Sequence, residues 1–336
     1  MNKKFILILA FFFFLLGGLF YFRNNVYYSR GAENRVIIFE IKKGEGTEQI
    51  ASRLAEKNII SGKVYFYYYL YTSRLLNKIM PGSYMLNGNL NIPEIAHIIT
   101  NSEAQAVKIT FPEGLTGRDM AEILKKNNFD GEEFLRLAND IPENFRIRYG
   151  FLSNAKVTSL EGYLFPDTYF FKKEITAENI AKKMLDNFEE RMDEQILSEI
   201  KNKNKNLNDI IILASIVEKE VPAPADMKIV AGIFENRLAI DMSLQSDASL
   251  SYILNDKIDS HTIEQTKIIS PYNTYINKGL PPGPIANPGM NAILAAVYPQ
   301  ETDYLYFLTT KTESGQKIYY AKTFEEHIAN KKKAGL

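Results

Sequence analysis

The chain contains no cysteine. Disulfide cross-links, thiolate metal sites and a cysteine-linked lipid anchor are therefore excluded. Histidine is scarce: there are 3, His97, His261 and His327. None falls in an H-E-x-x-H or comparable ligand spacing, which argues against a metal enzyme. Neither sign of charge dominates, since 40 Lys and Arg balance 40 Asp and Glu, so no strong field draws the chain to nucleic acid. The short basic clusters at 201–205 and 331–333 read as solvated surface. G-x-G-x-x-G, a Walker-type G-K-[ST] and G-x-S-x-G are also missing, which removes the usual handles for nucleotide enzymes and serine hydrolases. No cofactor and no metal are expected.

What is present is apolar enough to fold. With 336 residues and 46% hydrophobic content, the chain can form two domains or one large domain with a substantial core. Residues 5–22 carry no charge, follow Lys3 and Lys4 and precede Arg23; the run approaches the about 20 residues that cross a bilayer. A cleaved signal peptide is the rival reading, but the apolar core exceeds the usual length and no A-x-A-like site follows. The expectation is an uncleaved single-pass anchor: 1–4 a cytoplasmic tail, 5–22 a transmembrane helix and 23–35 a polar tether. The basic N-terminus places the remainder outside, so the expected location is the cell (inner or cytoplasmic) membrane with an extracytoplasmic working part.

Hydrophobic periodicity predicts a strand over 36–41 and a helix over 47–57, with Thr47 as N-cap and Ile50, Ala51 and Leu54 facing inward. The order strand, Glu-Gly turn, helix recurs at 107–127, with Met120, Ala121 and Leu124 inward and two extra residues in the turn. Between the two units lie an aromatic helix over 63–76, a Pro81-Gly82 turn, a short strand around Tyr84 and a helix over 92–100 with Pro93 in its first turn. Tyr65, Tyr67, Tyr68, Tyr69 and Tyr71 cover every face of the aromatic helix, which favours packing or an interface over sugar stacking. Residues 159–171 read as a loop, 177–200 as a helix with Ile180, Met184, Leu185, Phe188 and Met192 on one stripe, and 227–238 as another. A hairpin over 304–309 and 317–321, turning at Ser314-Gly315, precedes a last helix from Thr323. The fold class is α+β.

The most informative stretch is NDIIILASIVEKE, 208–220. On a helix Glu218 lies above Ala214, Ser215 and Ile211, so a carboxyl projects from the buried stripe. Burial disfavours its ionised form, and Pro222 and Pro224 end the helix close by, whose partially negative C-terminus acts in the same direction. An ordinary Glu titrates at about 4.3, whereas one tuned to roughly 6 to 7 carries a usable proton at neutral pH. Two readings are open at this level: a proton donor, or a structural partner of an unseen Lys or Arg.

Three further segments look built for a site. The first, EGYLFPDTY, carries Glu161 and Asp167 among aromatics. The second, LQSD, supplies Gln245 and Asp247. The third, 270–289, has a polar cluster with Tyr272, Asn273 and Thr274 and then a Pro/Gly-stiffened loop through Asn287. Proline lowers the entropy of a free loop and glycine admits close backbone approach, which suits a groove wall for an extended polymer. For Asp167 and Asp247 a structural turn and a substrate contact are equally open.

ASIVEKE, EGYLFPDTY, LQSD, SPYNTY with GLPPGPIANPG, and YLYFL, in that combination, resemble the endolytic murein transglycosylase family of bacteria over nearly everything beyond residue 36. The chain departs from the family pattern at Ala248, where Pro is usual, and at Ile318, Tyr319 and Tyr320 of the closing hairpin. The resemblance implies an inner-membrane anchor, a small LysM-like α+β subdomain at 36–104 and a larger mixed α+β catalytic domain at 105–336. It implies a lyase acting on peptidoglycan glycan strands, cutting the β-1,4 bond between N-acetylmuramic acid and N-acetylglucosamine to leave 1,6-anhydro ends and so ending elongation beside the membrane's peptidoglycan synthases. The catalytic acid it implies is Glu218, with Glu161, Asp167, Gln245, Asp247, Tyr272, Asn273, Thr274 and Asn287 binding sugar or orienting that acid. A non-catalytic peptidoglycan-binding scaffold and a two-carboxylate glycosidase, with Glu161, Asp167, Asp247 or Glu220 as the second carboxylate, are the competing readings.

Overall fold

A computed structural model of the chain describes residues 3–29, 36–258, 260–312 and 315–335. It divides into two compact units, Met1–Ile109 with Tyr169–Ile175 and Thr110–Thr168 with Thr176–Leu336. Both mix helices and strands, in keeping with the α+β class.

The first unit begins with helix α1 (Lys3–Tyr27), followed by β1 (Val36–Ile41), α2 (Thr47–Glu56), α3 (Lys63–Thr72), β2 (Gly82–Asn87), α4 (Ile92–Ile99) and β3 (Gln105–Thr110). A strand from later in the chain, β4 (Thr168–Lys172), completes a four-stranded sheet in the order β1-β2-β3-β4. β1 and β2 pair antiparallel with Phe39 opposite Tyr84. Alternation turns Phe39 and Ile41 inward, where they meet Ile50 and Leu54 of α2, Phe66 and Leu70 of α3, and Ile95 and Ile99 of α4 in one apolar core. The inward positions expected for α2 are the buried ones, although its N-cap is Gly46 and Thr47 is already helical. α4 starts with a capping box in which Asn91 accepts from Glu94 N at 3.0 Å and Glu94 reaches back to Asn91 N at 2.8 Å, satisfying donors that a helix start leaves open.

The aromatic helix α3 divides its rings. Tyr65 and Tyr69 pack against the core, whereas Tyr67, Tyr68 and Tyr71 are 49%, 50% and 67% exposed. The expected single-pass membrane anchor, and the membrane location and orientation derived from it, are corrected here: among the described residues no helix is long and apolar enough to cross a membrane. Hydropathy saw an uninterrupted greasy run, but the last turns of α1 are folded into the unit. Phe22 meets Tyr65 and Tyr68 edge-on at 5.1 and 4.8 Å, Val26 is buried, and the Ser61 hydroxyl donates to the Asn25 carbonyl at 2.5 Å. Residues 30–35 of the expected tether lie outside the described residues.

The second unit contains α5 (Gly117–Lys126), α6 (Gly131–Asn139), α7 (Glu143–Arg148), α8 (Ala177–Arg191), α9 (Glu194–Asn202), α10 (Leu207–Glu220), α11 (Pro224–Ala239), α12 (Asp247–Leu254), α13 (Met290–Val297), a hairpin of β5 (Tyr306–Thr312) and β6 (Gly315–Ala321), and α14 (Phe324–Ala334). The turn residue Ser314 of the expected hairpin lies outside the described residues, but the strands pair antiparallel as expected, with Leu308 opposite Tyr319. Met120, Ala121 and Leu124 of α5 and Ile180, Met184, Leu185 and Phe188 of α8 form their predicted inward stripes, but the single helix expected over 177–200 is broken in two, with Met192 ending α8 and Asp193 capping α9. The loop expected over 159–171 instead ends in β4, because Tyr169 and Phe171 alternate inward with Phe170 and Lys172.

α10, α11 and α13 pack together and position the site. α10 is capped by Asn206, which accepts from Asp209 N at 2.9 Å, and is buried continuously from Ile210 to Val217. Val221 then turns extended, and Pro224 opens α11 in its first turn, where a missing N–H does no harm. Within α11, Gly232 faces backbone: a Cβ there would lie 2.1 Å from the Gln300 carbonyl oxygen. Alanine would gain about 0.5–1 kcal/mol of helix propensity, but the clash with main chain costs about 1–3 kcal/mol. Gly232→Ala is therefore expected to lower stability, measured as a lower urea midpoint with an unchanged slope; an equal or higher midpoint would show that Gln300 moves freely.

Candidate active site

The last turn of α10 carries Glu218 out of the apolar stripe to a half-buried position. Its Oε2 accepts a hydrogen bond from Gly289 N at 3.0 Å. Gly289 is the N-cap of α13 and is extended, with φ −78 and ψ 173, so one helix end delivers the carboxyl and another helix start receives it. No ion pair reaches Glu218 among the described residues: the neighbouring Lys219 turns its Nζ to the Gly114 carbonyl at 3.1 Å. The structural-partner reading of Glu218 thus lacks its cation. Burial is the main influence on this group and pushes it up to about 7; the Gly289 N–H opposes that, the negative charge of Glu113 adds to it and Lys219 opposes it.

Glu113, Glu218, Lys219, Glu220, Met227 and Asn291 stand around a cavity of about 410 Å³. Gly114, at φ +75, lets this wall close up, since a Cβ there would meet Glu218 Cγ at 3.3 Å. The wall is stitched through main chain. Gly114 N donates to Asn287 O at 2.9 Å and Asn287 N donates to Leu115 O at 2.8 Å, a short antiparallel bridge that fixes the 113–115 loop to the segment ending in Gly289. Among the described residues no group of three or more acidic or histidine side chains is arranged to hold a metal ion.

Of the site candidates named from the sequence, Glu218 and the alternative second carboxylate Glu220 line this cavity. Glu161 and Asn287 meet just behind it. Asn287 Nδ2 donates to Glu161 Oε1 at 2.7 Å and to Leu115 O at 3.0 Å, while its Oδ1 accepts from Gly162 N at 2.8 Å and Leu164 N at 3.0 Å. Both oxygens of Glu161 also accept from Gly117 N, at 3.0 and 3.1 Å, which satisfies a donor at the start of α5. Burial pushes Glu161 up to about 7 against these hydrogen bonds.

The LQSD and SPYNTY segments form a second polar cluster. Gln245, in the left-handed region at φ +51, donates its N to Thr274 O at 3.0 Å. Thr274 Oγ1 accepts from Ser246 N at 2.9 Å, and Ser246 Oγ donates to Glu220 Oε1 at 2.5 Å. Glu220 is also pushed up to about 7, first by burial and further by the charge of Asp247, against the Ser246 bond and Arg237. Asp247 opens α12 and lies 3.3 Å from His261 Nδ1. Asn273 is fully buried and donates to the Thr266 and Ile268 carbonyls at 3.0 and 2.7 Å, while the Tyr272 ring packs tilted on Tyr252 at 5.1 Å. Asp167 is held elsewhere in the unit by Arg191 and by Asn187 Nδ2, both at 3.1 Å.

Sequence reasoning passed over Glu113, Gly114, Lys219 and Gly289 as site residues. The available signal was the Glu-Gly turn with its two extra residues, and a glycine closing a loop otherwise stiffened by proline.

Comparisons with known proteins agree with one another. The model of the YceG-like family matches residues 39–333. An endolytic murein transglycosylase of Bacillus subtilis is 34% identical over 306 residues, covering 87% of this chain and 83% of that protein. One from Streptococcus pneumoniae (strain D39) is 30% identical over 317 residues and 86% of this chain, but the match spans only 57% of that longer protein. The crystal structure of a yceG-like protein from Listeria monocytogenes superposes with a TM-score of 0.62 at 31% identity, covering 88% of this chain and 98% of that one.

Glu161, Glu218 and Glu220 are each raised from 4.5 to about 7. The folded chain therefore binds more protons than the unfolded chain between those values. The stability these groups contribute is fully present below the unfolded value and is lost as pH rises through about 7. Urea unfolding is expected to give a higher midpoint at about pH 5 than at about pH 8, with Glu161→Gln narrowing the difference. A Glu161→Gln protein with the parent's full pH dependence would exclude Glu161 as a contributor.

Proposed function

Because the chain belongs to the YceG-like family and is by kinship a lytic transglycosylase acting on peptidoglycan, we propose that it cuts the β-1,4 bond between N-acetylmuramic acid and N-acetylglucosamine inside nascent glycan strands, with Glu218 as both acid and base. The observation that carries this reading is a half-buried carboxyl at about 7, without an ion-pair partner among the described residues and facing a cavity. Since Oε2 accepts from Gly289 N, the proton resides on Oε1. From there it goes to the departing glycosidic oxygen as the bond from C1 to that oxygen breaks. The muramyl 6-hydroxyl then forms the new bond to C1 and gives its proton to the Glu218 carboxylate, which restores the acid and leaves a 1,6-anhydro end. No water is consumed. A group near neutrality can serve both steps, because its two protonation states are comparably populated.

C1 of such an end is closed in the internal 1,6-ring and carries no activated leaving group for further glycosyl transfer, so the cut is proposed to terminate elongation, and the synthases that lengthen these strands are the proposed partners. Glu161 and Asn287 are proposed to orient Glu218, Asn287 standing two residues from Gly289 and bonded to Gly114. Asp167, Gln245, Asp247, Tyr272, Asn273 and Thr274 are proposed to shape or contact the glycan path. For residues 36–104 we propose a LysM-like module ahead of a catalytic part at 105–336; the order β1, α2, α3, β2 with β1 antiparallel to β2 supports that.

One observation favours a second reading. Glu113 faces the same cavity as Glu218, and a pair of carboxylates is what a hydrolase uses. The products decide between them. Incubation with polymeric peptidoglycan and mass spectrometry is expected to give anhydro-muramyl ends, each one water lighter than the reducing ends a hydrolase leaves. Glu218→Gln is expected to reduce the rate by about 10²–10⁴-fold or more, and undiminished cleavage by that variant would remove Glu218 from the mechanism.

A further inference from the structure

Glu113 has no assigned task, yet its position is tightly specified. Its exposed side chain lies directly against Gly289: a Cβ on that glycine would fall 1.9 Å from Glu113 Oε1. The same Gly289 donates its N–H to Glu218, so one glycine is wedged between the two carboxyl groups and touches both. The paired main-chain bonds between 114–115 and Asn287 hold the Glu113 backbone in register with that wedge. No hydrogen bond from a described residue reaches the Glu113 carboxylate, and no cation is bound to it there. Its charge is therefore directed into the cavity without neutralisation.

We propose that Glu113 is a positioning residue of the reaction, a charged carboxylate seated against Gly289 that keeps Glu218 in its proton-carrying form. The proposal rests on the reading of Glu218 as the proton donor. Two like charges this close oppose joint ionisation, and Glu113 does act on Glu218 in the raising direction. The other ionisable groups at the cavity are Lys219 and Glu220, both from α10; α11 contributes Met227 and α13 contributes Asn291, neither of which titrates. Lys219 is committed to the Gly114 carbonyl and Glu220 to the Ser246 hydroxyl, which leaves Glu113 as the group whose removal alters the field at Glu218 with least disturbance to the hydrogen bonds.

Gly289 supplies an independent handle. Its backbone angles are ones that alanine adopts without strain, and alanine keeps the N–H that binds Glu218. The added methyl would displace only the flexible end of Glu113. Gly289→Ala thus moves the charge away without deleting it, whereas Glu113→Gln deletes it without moving the backbone.

The test follows the Glu218 carboxyl carbon by ¹³C NMR titration in the full chain, assigned with Glu218→Gln, beside the pH profile of glycan cleavage. Glu113→Gln and Gly289→Ala are both expected to lower the Glu218 midpoint by roughly half a pH unit, about threefold in proton affinity. The basic limb of cleavage should move down with it, and Glu113→Asp should restore most of the parent's midpoint. An unmoved midpoint in Glu113→Gln overturns the proposal. So does an unmoved limb with a uniform fall in kcat or a rise in KM, which would make Glu113 a substrate contact instead. The titration needs no substrate, so a failure to find anhydro products would sink the proposed function while leaving this inference to be decided separately.

Discussion

A carboxyl group stationed at the edge of an oily helix is the constraint around which the second unit is organised. Burial from Ile210 to Val217 leaves α10 no polar surface until its last turn, so Glu218 emerges where desolvation of a charge is expensive and water is only partly available. A group in that position can acquire a cation, fill its lone pairs with hydrogen bonds or keep its proton. The fold withholds the first by sending Lys219 to a carbonyl and supplies the second sparingly, through one N–H on one oxygen. Its affinity for a proton is raised as a consequence of what the neighbours do not offer.

Orientation is achieved mainly with backbone. Gly289 N, Gly114 and the bridge between Leu115 and Asn287 surround the carboxyl, and main-chain donors lose no side-chain freedom when they engage. Preorganised donors of this kind need little rearrangement as charge develops. Asn287 makes the arrangement cooperative. Its amide satisfies Gly162 and Leu164 and donates to Glu161, which in turn holds the start of α5. The EGYLF and GLPPGPIANPG segments are thus parts of one buried network, in which a single missing partner would strand several polar groups.

Much of this was readable from residue patterns, and the failures have physical causes. Stripes at helical spacing located α2, α5 and α8 and their inward faces, because amphipathic helices write their packing into the sequence. The exceptional residue of α10 was legible for the complementary reason: a Glu interrupts an otherwise apolar run. Glu113 was not legible, since an exposed Glu in a turn looks like any solvated charge, and only the main-chain bridge to Asn287 brings it to the cavity. β4 was missed because its strand pattern is short and follows a proline-aspartate turn, and α13 because a brief, mostly buried apolar run such as AILAAV has no periodicity to distinguish helix from strand. Residues 5–22 misled in the opposite way. Hydropathy scores a run in isolation, and it could not register that Phe22 and Val26 are absorbed into the packing of the first unit.

The neighbourhood of two carboxyls is compatible with a reaction that uses only one of them. In a hydrolase the second carboxylate attacks or activates water, and it must reach the sugar face opposite the leaving group. Glu113 and Glu218 both lie against Gly289 and line one cavity. In the proposed mechanism the charge of Glu113 would bear on the proton affinity of Glu218 in each half of the cycle. Before bond cleavage it would make the proton harder to lose to water. Once the proton had gone to the glycosidic oxygen it would make the new carboxylate a stronger base, just when the proposed 6-hydroxyl attack needs deprotonation. A rise in pKa weakens an acid and strengthens its conjugate base together, so catalysis by a single group is best served near the working pH, where neither step is starved. Burial alone sets that value only coarsely, because it changes with every water admitted to the cavity. A negative neighbour held beside the group by the backbone of the 113–115 loop would add a contribution that does not depend on that hydration.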